Sequence, residues 1–136
     1  MPFPNKDFNQ MRIFIDIGHP AHVHYFKNMI RILEGRGHQF FICARDKEIT
    51  HQLLDVFKIP YISRGKGGLN LLTKLIYLFY GDFLLYKYAR HFQPDLFVSF
   101  ASTYAAHVSK LLGKTHIALD DTEHAIALGT AIGVFL

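Results

Sequence analysis

The amino-acid sequence predicts a doubly wound α/β unit, in which a parallel sheet of about five strands carries helices on both faces. Short β-branched and aromatic runs alternate along the chain with segments whose apolar residues recur at helical spacing. The chain has 136 residues, of which 50% are apolar and 19% charged. This composition can form one hydrophobic core and excludes an intrinsically disordered protein. Its single cysteine, Cys43, excludes a disulfide framework and is typical of a reducing compartment.

The first half of the chain predicts three strands and two helices. Residues 11–17, MRIFIDI, form a continuous β-branched and aromatic run that ends at Gly18, which is typical of a buried parallel strand. Helical spacing follows from Tyr25 to Leu33 and stops at the glycines of 35–37. Asp46 is the expected cap of the second helix. The predicted strands of this half are 12–17, 39–44 and 60–63.

The second half begins with a basic glycine-rich loop and a long helix. The helix is expected over 69–92, with Gly81 and Asp82 as a candidate interruption. A fourth strand over 96–100, a helix over 102–112 and a fifth strand over 116–119 follow. Because crossovers between parallel strands are right-handed, the expected strand order is 3-2-1-4-5.

Three divisions of the chain are expected. Residues 1–10 form a loose leader without the apolar run of a signal peptide, residues 11–124 form the domain, and residues 125–136 form an uncharged apolar tail. No stretch reaches 18 uncharged apolar residues, so no transmembrane helix is expected. The expected location is the cytoplasm. The second option is peripheral contact with the inner face of the membrane.

Ligands of doubly wound sheets gather at the carboxyl ends of the strands. The loops predicted there are 18–24, 100–104 and 120–124, which should open on one rim. The formal net charge of +4 permits anionic partners but identifies none. No nucleic-acid partner, cofactor or tightly held metal ion is expected.

The first candidate site is GHPAHVH, residues 18–24. Gly18 lets the chain turn off the strand, and the following helix amino terminus favours a phosphate or carboxylate. His19, His22 and His24 are candidates for substrate contact, and all three could meet a metal ion. The alternative is that one or two of these histidines only bond to the backbone of the loop.

The second candidate site is DDTEH, residues 120–124, directly after the fifth strand. Crowding Asp120, Asp121 and Glu123 beside His124 favours a raised pKa on one carboxyl, which suits a general base. The alternative is a helix cap, and both roles can hold together. The hydroxyls of Ser102 and Thr103 are further candidates for substrate contact or capping.

The segment 64–92 combines tyrosines and basic residues with an apolar stripe. This combination suits the surface of an anionic membrane. The alternative is that the stripe packs on the sheet while the tyrosine hydroxyls reach solvent.

Three segments carry a family resemblance. They are MRIFIDIGHPAHVHYFKNMIRILEGRGHQFFICAR, PDLFVSFAS and IALDDTEHA, which together resemble the domain-of-unknown-function family DUF354, whose members look like GT-B glycosyltransferases. The resemblance covers about residues 11–125. More distantly, the layout is similar to the lipid II-forming N-acetylglucosamine transferase and to UDP-N-acetylglucosamine 2-epimerase.

The resemblance implies the amino-terminal, Rossmann-like half of a GT-B fold. In such enzymes this half mostly holds the acceptor, and the other half holds most contacts to the nucleotide sugar. By this resemblance residues 18–22 correspond to a glycine-rich loop of the transferase and residues 121–124 to a short polar motif. Epimerases place an acid just after the fourth strand, whereas this sequence has Ala101, Ser102 and Thr103, which disfavours epimerase chemistry.

The expected function is therefore the acceptor side of a glycosyltransferase that uses a nucleotide sugar and an unidentified acceptor. His19 or His22 is expected as base or phosphate contact, with Asp121 and Glu123 holding acceptor hydroxyls. The second domain is missing and the tail is apolar, so a truncated or frame-shifted product is expected, inactive alone and self-associating. The alternatives are a metal-dependent hydrolase built on His22 and His24, and a non-catalytic half-domain that pairs with a second chain.

Overall fold

The computed structural model describes residues 9–120 of the chain. Most of the expected leader, and all of the segment from Asp121 to Leu136, lie outside the described residues. In chain order the elements are β1 (Arg12–Ile17), α1 (Pro20–Gly35), β2 (Gln39–Ala44), α2 (Thr50–Val56), β3 (Ile62–Ser63), α3 (Leu71–Phe92), β4 (Leu96–Phe100), α4 (Thr103–Leu112) and β5 (Thr115–Leu119).

The five strands form one sheet in the order β3-β2-β1-β4-β5. Every neighbouring pair is parallel, so the predicted fold class and strand order are confirmed. β1 lies at the centre, paired with β2 from Arg12 to Ile17 and with β4 from Ile13 to Asp16. Parallel strands connected by helices require covered faces, which explains the nearly continuous apolar runs.

The two faces of the sheet carry separate cores. Ile13, Ile15 and Ile17 belong to one core and Phe14 to the other, because successive strand side chains alternate between faces. The first core is completed by Val23, Phe26 and Ile30 of α1 and Leu54 of α2. The second is completed by Leu85, Ala89 and Phe92 of α3 and Ala105 and Val108 of α4.

Two local expectations are wrong. α2 begins at Thr50 without a side-chain cap from Asp46; instead the Thr50 hydroxyl donates to the Lys47 carbonyl oxygen over 2.6 Å. β3 pairs only over Ile62–Ser63 rather than over 60–63, and Pro60 has no amide to donate to a ladder.

α3 runs without interruption through Gly81. Its start is a capping box, in which Asn70 Oδ1 accepts from the Thr73 amide over 2.9 Å. A Cβ at position 81 would lie 2.5 Å from Cε1 of Tyr104, so the glycine allows α4 to approach closely. Within residues 9–120 no helix is long and apolar enough to cross a membrane.

Candidate functional site

The carboxyl ends of the strands meet at one edge of the sheet, here called the rim. Gly18 and His19 follow β1, Ala101 and Ser102 follow β4, and the half-buried Asp120 follows β5. Asp121, Glu123 and His124 lie outside the described residues, so their position relative to His22 stays a prediction.

Two histidine rings at the rim are held by backbone amides. Nδ1 of His22 accepts from the Gly18 amide over 3.3 Å, and Nδ1 of His19 accepts from the Ala21 amide over 3.1 Å. The neutral rings must therefore carry their proton on Nε2, because Nδ1 supplies its lone pair. Both imidazoles present an N–H donor in this state, which suits an oxygen ligand better than the acceptance of a proton.

An aromatic platform fixes the second of these rings. His22 stacks on Phe100 with centroids 4.5 Å apart and planes 15° apart, and the rings of His19 and His22 lie 5.8 Å apart. Phe100 also contacts Tyr25 and Phe26. The orientation of His22 thus depends on both the loop after β1 and the end of β4.

The amino terminus of α1 is capped internally. The Ala21 amide donates to the His19 ring, and the His22 amide donates to the His19 carbonyl oxygen over 3.0 Å. The sequence suggests that these amides would bind an anion, but both are already bonded within the loop.

The third histidine of the motif lies elsewhere. His24 is exposed, its Nδ1 is 3.4 Å from Lys27 Nζ, and its ring meets Phe57 edge-on at 5.8 Å. Residues two apart on a helix point to different sides, which explains the separation from His22. Among residues 9–120 no group of three His, Cys, Asp or Glu side chains is arranged to hold a metal ion.

The hydroxyls after β4 have different roles. Ser102 caps α4 by accepting from the Ala105 amide over 3.1 Å, and it donates a short hydrogen bond to Oδ2 of Asp16. Thr103 is exposed at the first position of α4. Ala101 adopts a left-handed backbone with a φ of 48°, which is uncommon for a residue with a Cβ.

A buried ion pair lies beneath the rim and was missed by the sequence analysis. Arg64, after β3, donates from Nε to Oδ1 of Asp16 over 2.8 Å, and both side chains are at most 4% exposed. Arg64 also donates to the Tyr77 hydroxyl over 2.7 Å, and its guanidinium lies 4.7 Å from the Tyr104 ring centroid. The sequence feature that could have indicated this pair is Asp16, a carboxylate within the apolar run of β1.

The ion pair supports the loop that carries the histidines. A Cβ at Gly18 would lie 3.5 Å from Nη2 of Arg64, so the guanidinium reaches directly under this loop. Burial by itself lowers the pKa of Arg64, but the Asp16 carboxylate and Tyr77 raise it, and the guanidinium stays charged. Burial raises the pKa of Tyr77, against the effect of Arg64, so the phenol stays protonated and donates to the Arg64 carbonyl oxygen.

Three neighbouring buried side chains, Cys43, Ser99 and His116, complete the polar layer. Burial, reinforced by the adjacent Asp16 carboxylate, raises the pKa of Cys43, so this thiol is not a nucleophile at neutral pH. Ser99 Oγ lies 2.7 Å from Nε2 of the buried His116. Burial lowers the pKa of His116, with a smaller opposing effect of Asp16, which favours the neutral ring.

Comparisons with known proteins agree with this architecture. The family model described as "Protein of unknown function (DUF354)" matches residues 11–131. An uncharacterized protein of Methanocaldococcus jannaschii, MJ0665, is 27% identical over 115 residues, which is 85% of this chain and 34% of that protein. The chain therefore spans about a third of the length of this relative.

Solved structures show the same fold at low identity. MurG of Acinetobacter baumannii superposes with a TM-score of 0.68 and 15% identity, covering 88% of this chain and 38% of that one. UDP-GlcNAc 2-epimerase of Neisseria meningitidis, bound to UDP-GlcNAc, gives 0.67 and 13%, covering 88% and 35%. The glycosyltransferase VinC, in complex with dTDP, gives 0.66 and 17%, covering 92% and 38%. These similarities show a Rossmann-like domain of the GT-B type.

Proposed function

Since the chain belongs to the DUF354 family and folds as one domain of a GT-B unit, we propose that it is the acceptor-binding half of a glycosyltransferase. The donor is a nucleotide sugar, and the second half of the site comes from a further domain. The chain by itself is then inactive. The solved structures bound to UDP-GlcNAc and dTDP support this donor class.

The observation that carries the proposal is the pair of ring donors at the rim. Nε2–H of His19 and of His22 would donate to an oxygen of the acceptor or of the donor diphosphate. Their orientation is set before any ligand binds, because each Nδ1 is already bonded to a backbone amide. Prearranged donors stabilise charge that develops during a reaction at little cost in reorganisation.

The proposed reaction is transfer of a sugar to an acceptor hydroxyl. Asp121 or Glu123 would take the hydroxyl proton while the hydroxyl oxygen bonds to the anomeric carbon of the donor. The bond from that carbon to the phosphate oxygen breaks, and the nucleotide diphosphate leaves with the electron pair. The histidine donors stabilise the oxygen on which negative charge accumulates.

The alternatives have less support. The loop after β4 carries no carboxylate, and Ser102 is engaged with Asp16 and the α4 amides, so the acid expected of an epimerase is missing there. A hydrolase built on His22 and His24 needs both rings on one metal ion. The ring of His22 lies against Phe100 and that of His24 against Phe57.

The test uses the chain alone and the chain joined to the carboxyl-terminal part of a longer family member. We expect transfer from a radiolabelled nucleotide sugar only for the joined protein. His22→Ala should lower the rate by about 100–1,000-fold, which is the effect of losing one oxyanion donor. His24→Ala, on the same helix, is the matched control and should leave the rate within about twofold.

Two results would contradict the proposal. One is turnover of a nucleotide sugar by the 136-residue chain alone. The other is inversion of a sugar carbon by the joined protein with no acceptor present, detected by NMR, because epimerisation needs no acceptor and transfer does.

A further inference from the structure

The outer face of α3 is apolar and uncovered among the described residues. Phe79 is 73% exposed, Leu72 68%, Phe83 65% and Ile76 59%. Monomeric proteins rarely expose a contiguous apolar patch of this kind without a partner. The face, here called the α3 stripe, consists of Leu72, Leu75, Ile76, Phe79, Tyr80 and Phe83.

Helical geometry makes these residues one surface. Their spacing brings them to one side of the helix, over a length of about 16 Å. The opposite side of α3 is buried through Gly81, Leu85, Ala89 and Phe92. The helix therefore packs on the sheet with one face, and the stripe is a second apolar face that the sheet does not use.

Exposed basic side chains continue the stripe on its own side of the helix. Lys87 and Arg90 follow Phe83 by four and seven residues, so they lie on the same side of α3, and both are exposed. Residues 56–81 contain no aspartate or glutamate. The next acid, Asp82, is engaged by His107 Nδ1 at 2.9 Å.

We propose that the α3 stripe lies on the surface of an anionic lipid bilayer, with the helix parallel to the membrane plane. Leucine, isoleucine and phenylalanine side chains enter the region between headgroups and acyl chains, and Lys87 and Arg90 contact anionic headgroups. A symmetric contact between two copies through the stripe would place Lys87 and Arg90 of both copies at one interface, and like charges oppose such a contact.

The bilayer surface would adjoin the rim. Leu75 of the stripe also lines a groove of about 340 Å³ together with Leu71, Arg45, Lys74, Tyr77 and Tyr104. Tyr77 and Tyr104 contact Arg64, which lies under Gly18. The groove therefore joins the α3 stripe to the polar layer beneath the histidine loop.

Flotation of the 136-residue chain with lipid vesicles tests the proposal, because bound protein rises and aggregates sink. The vesicles are phosphatidylcholine alone or phosphatidylcholine with phosphatidylglycerol. We expect flotation with the mixed vesicles and much less with the neutral ones. Lys87→Gln/Arg90→Gln should weaken binding to the mixed vesicles by about 10–30-fold, from about 1 kcal/mol for each basic side chain.

The apolar contribution is tested on exposed positions. Ile76→Glu/Phe79→Glu should weaken binding at least about tenfold. Leu111→Glu, at a 72% exposed position on α4, is the control and should float like the unaltered chain. Circular dichroism melting confirms that each variant is folded, and Ile76→Ser/Phe79→Ser replaces the charged variant if that one is unfolded.

Two outcomes would overturn the proposal. One is equal flotation of the unaltered chain and the α3 variants. The other is absence of flotation combined with a change from dimer to monomer in Ile76→Glu/Phe79→Glu, which would identify the stripe as a contact between two copies.

Discussion

Removing one partner of the Asp16–Arg64 ion pair should destabilise the fold strongly. Arg64→Met leaves the Asp16 carboxylate buried, with the Ser102 hydroxyl as its remaining side-chain hydrogen-bond partner among residues 9–120. Asp16→Asn leaves a guanidinium that cannot lose its proton. Because both side chains are at most 4% exposed, each single change should cost about 3–5 kcal/mol of unfolding free energy.

The pair should also be coupled. The double variant Asp16→Asn/Arg64→Met contains no unpaired buried charge, so its cost should fall below the sum of the single changes by about 1–3 kcal/mol. Arg36→Met, at an exposed position, is the control and should change the free energy by less than about 0.5 kcal/mol.

Urea unfolding followed by circular dichroism measures these free energies. For a domain of this size the single variants should also lower Tm by about 10–20 °C. Single variants as stable as the control, or additive costs in the double variant, would show that the buried pair does not support the rim.

Three further outcomes are expected. Gly81→Ala should destabilise by about 1–3 kcal/mol because its Cβ would meet Tyr104, whereas Gly35→Ala, with nothing within 4 Å, should be neutral or stabilising, as thermal melts would show. Because burial lowers the folded-state pKa of His116, the unfolded chain binds the proton more readily, so stability should fall as pH drops below about 6.5. His116→Gln should reduce that dependence in urea titrations at several pH values. The uncharged segment 125–136 should make the isolated chain self-associate; sedimentation velocity of the chain and of a version ending at residue 124 checks this, and a monomeric full chain contradicts it.

Local patterns predicted most of the architecture. The limits of β1 follow from the run MRIFIDI. The end of α1 follows from Gly35 and Gly37, and Gly37 has a left-handed φ of 92°. The capping prediction for Asp46 failed because Thr50 bonds to Lys47 instead. The continuity of α3 at Gly81 was not predictable, since the glycine is explained by a side chain from another helix.

The candidate site was predicted only in outline. The loop after β1 was identified, but a motif of three histidines does not say which ring nitrogen is bonded. The bonds from the Gly18 and Ala21 amides decide that, and the two-residue spacing on a helix separates His22 from His24. The Asp16–Arg64 pair joins residues 48 positions apart, and sequence spacing carries no information on such a contact.

The sequence by itself determined the fold class, the strand order and the edge of the sheet where ligands would gather, because residue periodicity, turn residues and crossover handedness act locally or apply to all parallel sheets. Only the tertiary structure decided which polar groups are buried and which apolar groups are not. Asp16 is buried because α3 and α4 cover its face of β1, and the α3 stripe is exposed because a helix that is apolar on two sides can pack only one of them on the sheet.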